Sequence, residues 1–363
     1  MTFTYKYYKN KKVKIICKET ATNNDIIHSV IQKKVKKYRP TFYLPFSFMK
    51  SALNADRKVN KYSYQLPFLD VYLRHELELS DHHRIYLDWY PKTFKRMDPK
   101  TPIVFFVPGV FGTSEDYYSY QFCKTLHERL GWRSFVFNRR LFMDNFIGPK
   151  FISYFNYSDW REVLEYTKSN FPEADIYMVG VSMGALNIQK YLISFKDDPR
   201  VKAAVTISSP FNAGATSDVI AKNFFLNKII LQNQLMVFRK HLHNESYLEF
   251  LKLKNINIDA VLKCKTNREF DQRCSIRDLE MSSPSDYYSM LSSSSAIKDI
   301  SIPVLSVNSE DDLLIPSTNV PMAAIQQNPN IIQLMVAGGG HIEYFTGLNC
   351  EFVISFLHSG HTL

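Results

Sequence analysis

No stretch of this 363-residue sequence is apolar for long enough to cross a bilayer, and no secretory h-region follows Met1. Cysteine is sparse. Cys17, Cys123, Cys264, Cys274 and Cys350 are odd in number and scattered, with no C-x-x-C pair and no His/Cys metal spacing. That pattern excludes a disulfide framework and a structural zinc from the expectations, and it points to a reducing compartment, cytoplasmic or at the cytosolic face of a membrane. Glycine and proline, at 12 and 16 residues, are not enriched, and neither internal repeats nor low-complexity tracts occur. With 45% hydrophobic residues, a globular chain remains, large enough for one α/β domain with an insertion.

Acidic residues are scarce in one place only. Residues 1–50 hold twelve Lys/Arg against two Asp/Glu, so residues 51–363 carry 33 of each sign and the formal charge of +10 lies in the N-terminal arm. A neutral body excludes nucleic acid as the expected partner. Within the arm, Ile27, Ile31 and Val35 recur every four residues with Ile26 and Val30 beside them, which predicts a short amphipathic helix flanked by Lys33, Lys34, Lys36 and Lys37. Such an arm is expected to meet anionic headgroups as a peripheral attachment, each nearby lysine contributing about 1 kcal/mol. A solvated leader packed on the body is the alternative.

Past the arm, two alternating runs, residues 72–79 and 84–89, flank Ser80-Asp81-His82-His83 and predict a hairpin. Short apolar runs at 103–107, 134–137, 176–179, 203–207, 304–307 and 332–336 alternate with helical patterns, which predicts a mostly parallel eight-stranded sheet covered on both faces. Residues 1–50 are expected to be arm and connector, and residues 51–363 the α/β domain. The segment 211–300 is too long for a structureless loop and reads as a helical cap insertion. Within it, residues 223–241 predict a long helix with two apolar edges, a candidate lid.

Gly180-Val-Ser182-Met-Gly184 follows a strand-like run and precedes a helix-like one, as a serine on a sharp strand-to-helix turn requires. Glycine two residues to either side lets the chain segments approach. A hydroxyl needs a base to act as a nucleophile, and the base needs an acid to fix its tautomer. Asp311 and Asp312 follow the strand at 304–307, and His341 follows Gly338-Gly339-Gly340 after the last strand. The residues therefore nominate Ser182 as nucleophile, His341 as base, and one of the aspartates as orienting acid, with Asp312 preferred over Asp311 by its offset from the strand. The N–H groups of Met183 and Val110 are the candidate oxyanion donors. No metal or cofactor is called for, and His241 and His243 have no third ligand in view. His83 and Asp88 match an H-x-x-x-x-D pattern but read as chance. Asn138-Arg139-Arg140 read as solvated or ion-paired residues at a strand end.

These segments together resemble the α/β-hydrolase-domain lipases and phospholipases, a group that includes YheT-like esterases and fungal medium-chain ester synthase/esterases. The animal medium-chain phospholipase branch looks nearest. The likeness runs from residue 38 to the C-terminus and rests on Ile85-Tyr-Leu-Asp-Trp89, Pro108-Gly-Val-Phe-Gly-Thr-Ser114, Val136-Phe-Asn-Arg139, the elbow, Thr266-Asn-Arg-Glu-Phe-Asp271 with Asp286-Tyr-Tyr288, and the Gln327 to His341 segment. It implies the same Ser182, His341 and Asp311/Asp312 set, and acyl-ester substrates of phospholipid or acylglycerol type. The chain departs from the pattern in three places. A basic arm stands where many animal members have a membrane anchor, His82-His83 replaces the Gly-Gly of an Asp-Gly-Gly turn, and Glu343 replaces a small residue. An alcohol acyltransferase using the same acyl-enzyme, and an inactive binding protein keeping the fold, are the alternative readings.

Overall fold

The computed structural model describes residues 13–26, 29, 71–140, 157–196, 198, 201–342, 345–346 and 351–352. Its main sheet contains β1 (Lys14–Cys17), β2 (Leu73–Glu78), β3 (Arg84–Tyr90), β4 (Ile103–Val107), β5 (Arg133–Asn138), β6 (Ile176–Val181), β7 (Val201–Ile207), β8 (Val304–Ser309) and β9 (Ile331–Val336). Their order across the sheet is β1-β9-β8-β7-β6-β4-β5-β3-β2. The six strands from β5 to β9 pair in parallel, while the β2–β3 hairpin and β1 are antiparallel edges.

The sheet therefore has nine strands, not the expected eight. The ninth comes from the basic arm. An uncovered β9 would present a row of unpaired backbone groups, and the short run Lys14-Ile-Ile-Cys17 covers it in register from Lys14 opposite Met335 to Cys17 opposite Ile332. Ile15, Cys17 and Ile26 pack against Val307, Ile332, Leu334 and Val336, and Asn23 Nδ2 donates to the Pro329 carbonyl at 3.0 Å. Of the residues that carry the predicted amphipathic helix, Ile26 ends α1 (Ala21–Ile26); Ile27, Val30, Ile31 and Val35 lie outside the described residues.

Alternation along β4 divides the apolar interior in two. Ile103, Phe105 and Val107 point to the face covered by α3 (Tyr157–Asn170) and α4 (Met183–Ser194), where Trp160, Val163, Ile188 and Tyr191 meet them. Val104 and Phe106 point to the other face, against Tyr118, Phe122 and Leu126 of α2 (Tyr117–Leu130). Phe105 is fully buried, so Phe105→Ala would cost about 3–5 kcal/mol. In the hairpin, His82 has φ +63°. The backbone there keeps the left-handed conformation that suits the family's glycine, now carried by an exposed histidine.

Between β7 and β8 the chain forms α5 (Ala213–Lys222), α6 (Phe224–Lys240), α7 (Glu245–Leu253), α8 (Ile258–Leu262), α9 (Asn267–Phe270), a π-helical turn at Asp271–Ser275, and α10 (Pro284–Leu291). This excursion leaves and returns at one point. The Ser293 and Ser294 N–H groups both donate to the Phe211 carbonyl at 2.9 and 3.0 Å, and Ala213 N–H donates to Ser292 Oγ at 3.0 Å. The helices share an apolar cluster of their own, including Leu231, Leu235, Phe238, Tyr247 and Phe250. A buried polar chain runs through it. Tyr288 donates to Asp271 Oδ2 at 2.9 Å, Ser217 donates to the Tyr288 hydroxyl at 2.9 Å, and Asn267 Nδ2 donates to Gln234 Oε1 at 3.1 Å.

Candidate active site

Strand β6 ends at Val181 and α4 begins at Met183, so Ser182 alone makes the turn between them. Its backbone sits at φ +54° and ψ −119°, a conformation that costs a non-glycine residue about 1–3 kcal/mol. Ser182 N–H donates to the Ile207 carbonyl of β7 at 2.8 Å, and its own carbonyl accepts from Leu186 N–H at 3.1 Å, which holds the turn from both sides. The flanking glycines are required by contact. A Cβ on Gly180 would lie 2.6 Å from Gly184 C and O, and one on Gly184 would run into the Val107 and Pro108 carbonyls.

His341 reaches this serine from the far end of the sequence. Its Nε2 lies 2.8 Å from Ser182 Oγ and its Nδ1 lies 2.8 Å from Asp312 Oδ2. The Asp312 side chain is fully buried and that of His341 is 17% exposed. Asp312 uses its second oxygen to accept the Leu314 and Ile315 N–H groups at 2.7 and 2.9 Å, so the turn after β8 fixes the carboxylate plane.

Asp311 has a different place. Its Oδ1 accepts from Gly338 N–H at 3.0 Å and Gly340 N–H at 3.1 Å, and Ser309 Oγ, which bonds the same carboxylate, accepts from Gly339 N–H at 2.9 Å. Three consecutive amides of the histidine loop are thus fastened to the end of β8. Gly338 and Gly340 have φ +81° and +59°, which is why glycine precedes the histidine. Ser208, itself at φ +52°, donates its hydroxyl to the His341 carbonyl. Asp312 thus holds the turn that follows β8, and Asp311 holds the loop across from it.

The loop after β4 lies against the elbow, a Cβ on Gly109 falling 3.6 Å from that of Ser182. Arg139, buried at the end of β5, donates through Nη1 to the Gly109 carbonyl at 2.6 Å and through Nη2 to the Pro108 carbonyl at 2.7 Å. Gly109 N–H donates to the Tyr118 hydroxyl at 3.1 Å, whose pKa burial pushes up. In a trans peptide the carbonyl and the next N–H point in opposite directions. Fixing the Gly109 carbonyl on Arg139 therefore fixes the Val110 N–H on the side away from it. Met183 N–H lies in the first turn of α4, where amides have no intrahelical acceptor. Asn138 extends the brace, accepting the Ser114 N–H at 2.9 Å and donating to Asp88 at 2.9 Å.

Arg139 is the residue whose role sequence reasoning missed: it bonds the two carbonyls of the loop after β4. Its neighbour Arg140 is ion-paired, with Asp159 at 2.6 Å and Asp81 at 2.9 Å. The available signal was a cation directly after a strand with no exposed residue, where a guanidinium can only turn back onto the sheet edge. Asp88 of the H-x-x-x-x-D pattern binds Arg74 twice at 2.8 Å and accepts from Ser114. His241 is buried edge-on to Tyr247. Among the described residues no three His, Cys, Asp or Glu side chains gather as metal ligands, and no helix is long and apolar enough to cross a membrane.

Comparison with known proteins matches residues 102–234 to the family described as alpha/beta hydrolase fold. The bovine (Bos taurus) protein named Phospholipase ABHD3 is 34% identical over 286 residues, 77% of this chain and 68% of that protein. The Saccharomyces cerevisiae protein named Monoacylglycerol lipase is 24% identical over 68% of this chain and 56% of its own length. The solved Pyrococcus furiosus esterase Pf2001 is 16% identical with a TM-score of 0.47, covering 75% of this chain and 84% of that one.

Proposed function

The chain belongs to the α/β-hydrolase family of lipases and phospholipases, carboxylic ester hydrolases, and we propose that it cleaves acyl esters of lipids through Ser182, His341 and Asp312. The observation that carries this reading is the pair of 2.8 Å contacts made by the one imidazole, to Ser182 Oγ and to Asp312 Oδ2. With Nδ1–H donated to the carboxylate, Nε2 is free to accept the serine proton. Ser182 Oγ then attacks the acyl carbonyl, and the tetrahedral oxyanion takes the Val110 and Met183 N–H groups. His341 passes its proton to the departing alcohol, and the acyl-serine is hydrolysed by a water that the same imidazole deprotonates. Arg139 acts one step removed, as a positioning residue that keeps the Val110 amide turned toward the reaction centre.

Phospholipids and acylglycerols are the substrate classes proposed, in line with the names of the relatives. The α5–α10 helices are read as a cap, because Val110, Phe111 and Met183 pack against the apolar cluster those helices bury. The basic arm is read as a peripheral contact to anionic headgroups. Because residues 14–17 form an edge strand, the truncation that tests the arm removes residues 1–12 only, with vesicle sedimentation as the readout. A fluorophosphonate probe tests the chemistry. Labelling of the wild type and none of Ser182→Ala, together with fatty-acid release from phospholipid or acylglycerol, is expected; labelling that survives the substitution ends the assignment.

A further inference from the structure

Resting on that lipid-ester reading, we propose that the outer face of α6 is a membrane-docking surface that seats the enzyme on anionic lipid. Phe224, Phe225, Ile229 and Met236 on this helix are 70%, 75%, 58% and 60% exposed, half of the large apolar side chains that stand in water among the described residues. Phe225, Ile229 and Met236 follow at intervals of four and seven, so they share one stripe of the helix. The opposite stripe, Leu231, Leu235 and Phe238, is buried in the cluster against which Val110 and Met183 pack. One helix diameter, about 10 Å, thus separates a face turned to water from a face turned to the elbow.

Charge selects the occupant. From Val219 to Asn244 the chain carries Lys222, Lys228, Arg239 and Lys240 and no acidic residue. On the neighbouring elements that pack against α6, Asp218 of α5 is paired with Arg268, Glu269 of α9 accepts the Lys265 N–H, and α7, whose Tyr247 ring meets Phe238, carries the exposed Glu245 and Glu249. Aromatic and aliphatic side chains in a line, on a helix whose only charges are cations, match an interfacial helix that lies in the plane of an anionic membrane. A protein partner would need acids on a complementary groove, and nothing in the cap calls for one.

The test uses the full chain and two sets of vesicles, phosphatidylcholine alone and phosphatidylcholine with phosphatidylserine, read by flotation. The triple variant Phe225→Ser/Ile229→Ser/Met236→Ser is expected to lose roughly tenfold or more in partitioning to both. Lys228→Glu/Arg239→Glu/Lys240→Glu should lose only the increment that phosphatidylserine adds, an increment that also fades with salt. Both variants should hydrolyse a dispersed short-chain ester like the wild type. Wild-type partitioning in the triple variant, no partitioning by the wild type, or a shift in melting temperature or oligomeric state on substitution overturns the proposal, the last by showing that another part of this chain or a second copy covers the face. If no ester is cleaved while flotation follows the expected pattern, the docking surface stands and the hydrolase reading falls.

Discussion

Helices α2 and α4, which lean on the sheet, start without a side-chain cap bond, whereas α5 to α10 of the insertion each start with one. Asn212, Asn223, Asn244, Asn257, Thr266 and Ser283 each accept an N–H from the first turn of the helix they precede. Helix α4 needs no such stop, because it starts two residues after β6, whose ladder sets where it begins. The insertion has no ladder. Its helices are bounded one by one and joined through side chains distant in sequence, as Asp271 is to Tyr288. The same contrast holds at the site: the reacting atoms are placed at the ends of β4, β6, β8 and β9 by backbone bonds and by buried side chains that bond the backbone, and the apolar wall over them by packing.

Breaking the sheet edge should therefore be costly in rate and cheap in fold. Asp312→Asn is expected to lower kcat about 10⁴-fold by freeing the imidazole tautomer, and Ser182→Ala at least as much, with unchanged melting. Asp311→Asn keeps an oxygen for the Gly338 and Gly340 amides and should fall well short of that loss. Equal losses in the two aspartate variants, measured on one soluble ester, would erase the division of labour between them. Next in size is Arg139→Met, with a kcat drop of about 10²–10³ and little change in KM. Arg140→Met, which removes a buried ion-pair partner, should instead lower stability. A rise in KM alone for Arg139→Met would place that guanidinium in substrate binding.

Much of this edge was legible because its chemistry is local. An elbow must be flanked by small residues, and a histidine loop that turns back needs positive φ, so the glycines around Ser182 and before His341 carry the signal. The sixfold alternation of short apolar runs with helices gave away the parallel sheet for the same reason. What stayed hidden is non-local. Residues 14–17 join the sheet by pairing with a strand more than three hundred residues away, and four residues amid lysines carry no pattern of their own. Arg139 is placed by two carbonyls thirty residues earlier, a contact that no spacing rule predicts. The offset from the strand already favoured Asp312 as the partner of His341, and the turn at Leu314 and Ile315 holds that carboxylate by backbone bonds.

In the insertion the largest expected effect is on stability. Burial pushes the Asp271 carboxyl from 3.8 up to about 6, against the hydrogen bonds from Tyr288 and Ser275 that favour the charged form. The folded state thus holds this proton more tightly than the unfolded chain. Its contribution is full below about pH 4 and is lost as pH rises through about 6, roughly 3 kcal/mol in all. Asp271→Asn cannot ionise, so the difference in unfolding free energy between wild type and variant should slope between pH 4 and 7 and flatten outside that window. A flat difference throughout would mean that the carboxylate is satisfied, and that the cap is as firmly built as the sheet.

Smallest is the loss of one cap. Asn223 Oδ1 accepts the Phe225 and Leu226 N–H groups, both at 3.1 Å, so Asn223→Ala strands two amides at the start of α6 and should cost about 1 kcal/mol. The location of that cost matters more than its size. If the insertion opens by itself, hydrogen exchange quickens through the first turns of α6 while β4 and β6 keep their protection. Should the strands quicken by the same factor, α6 and the sheet unfold as one cooperative unit. The caps would then be local trim on a single body, and the helices over Ser182 could not move without the elbow beneath them.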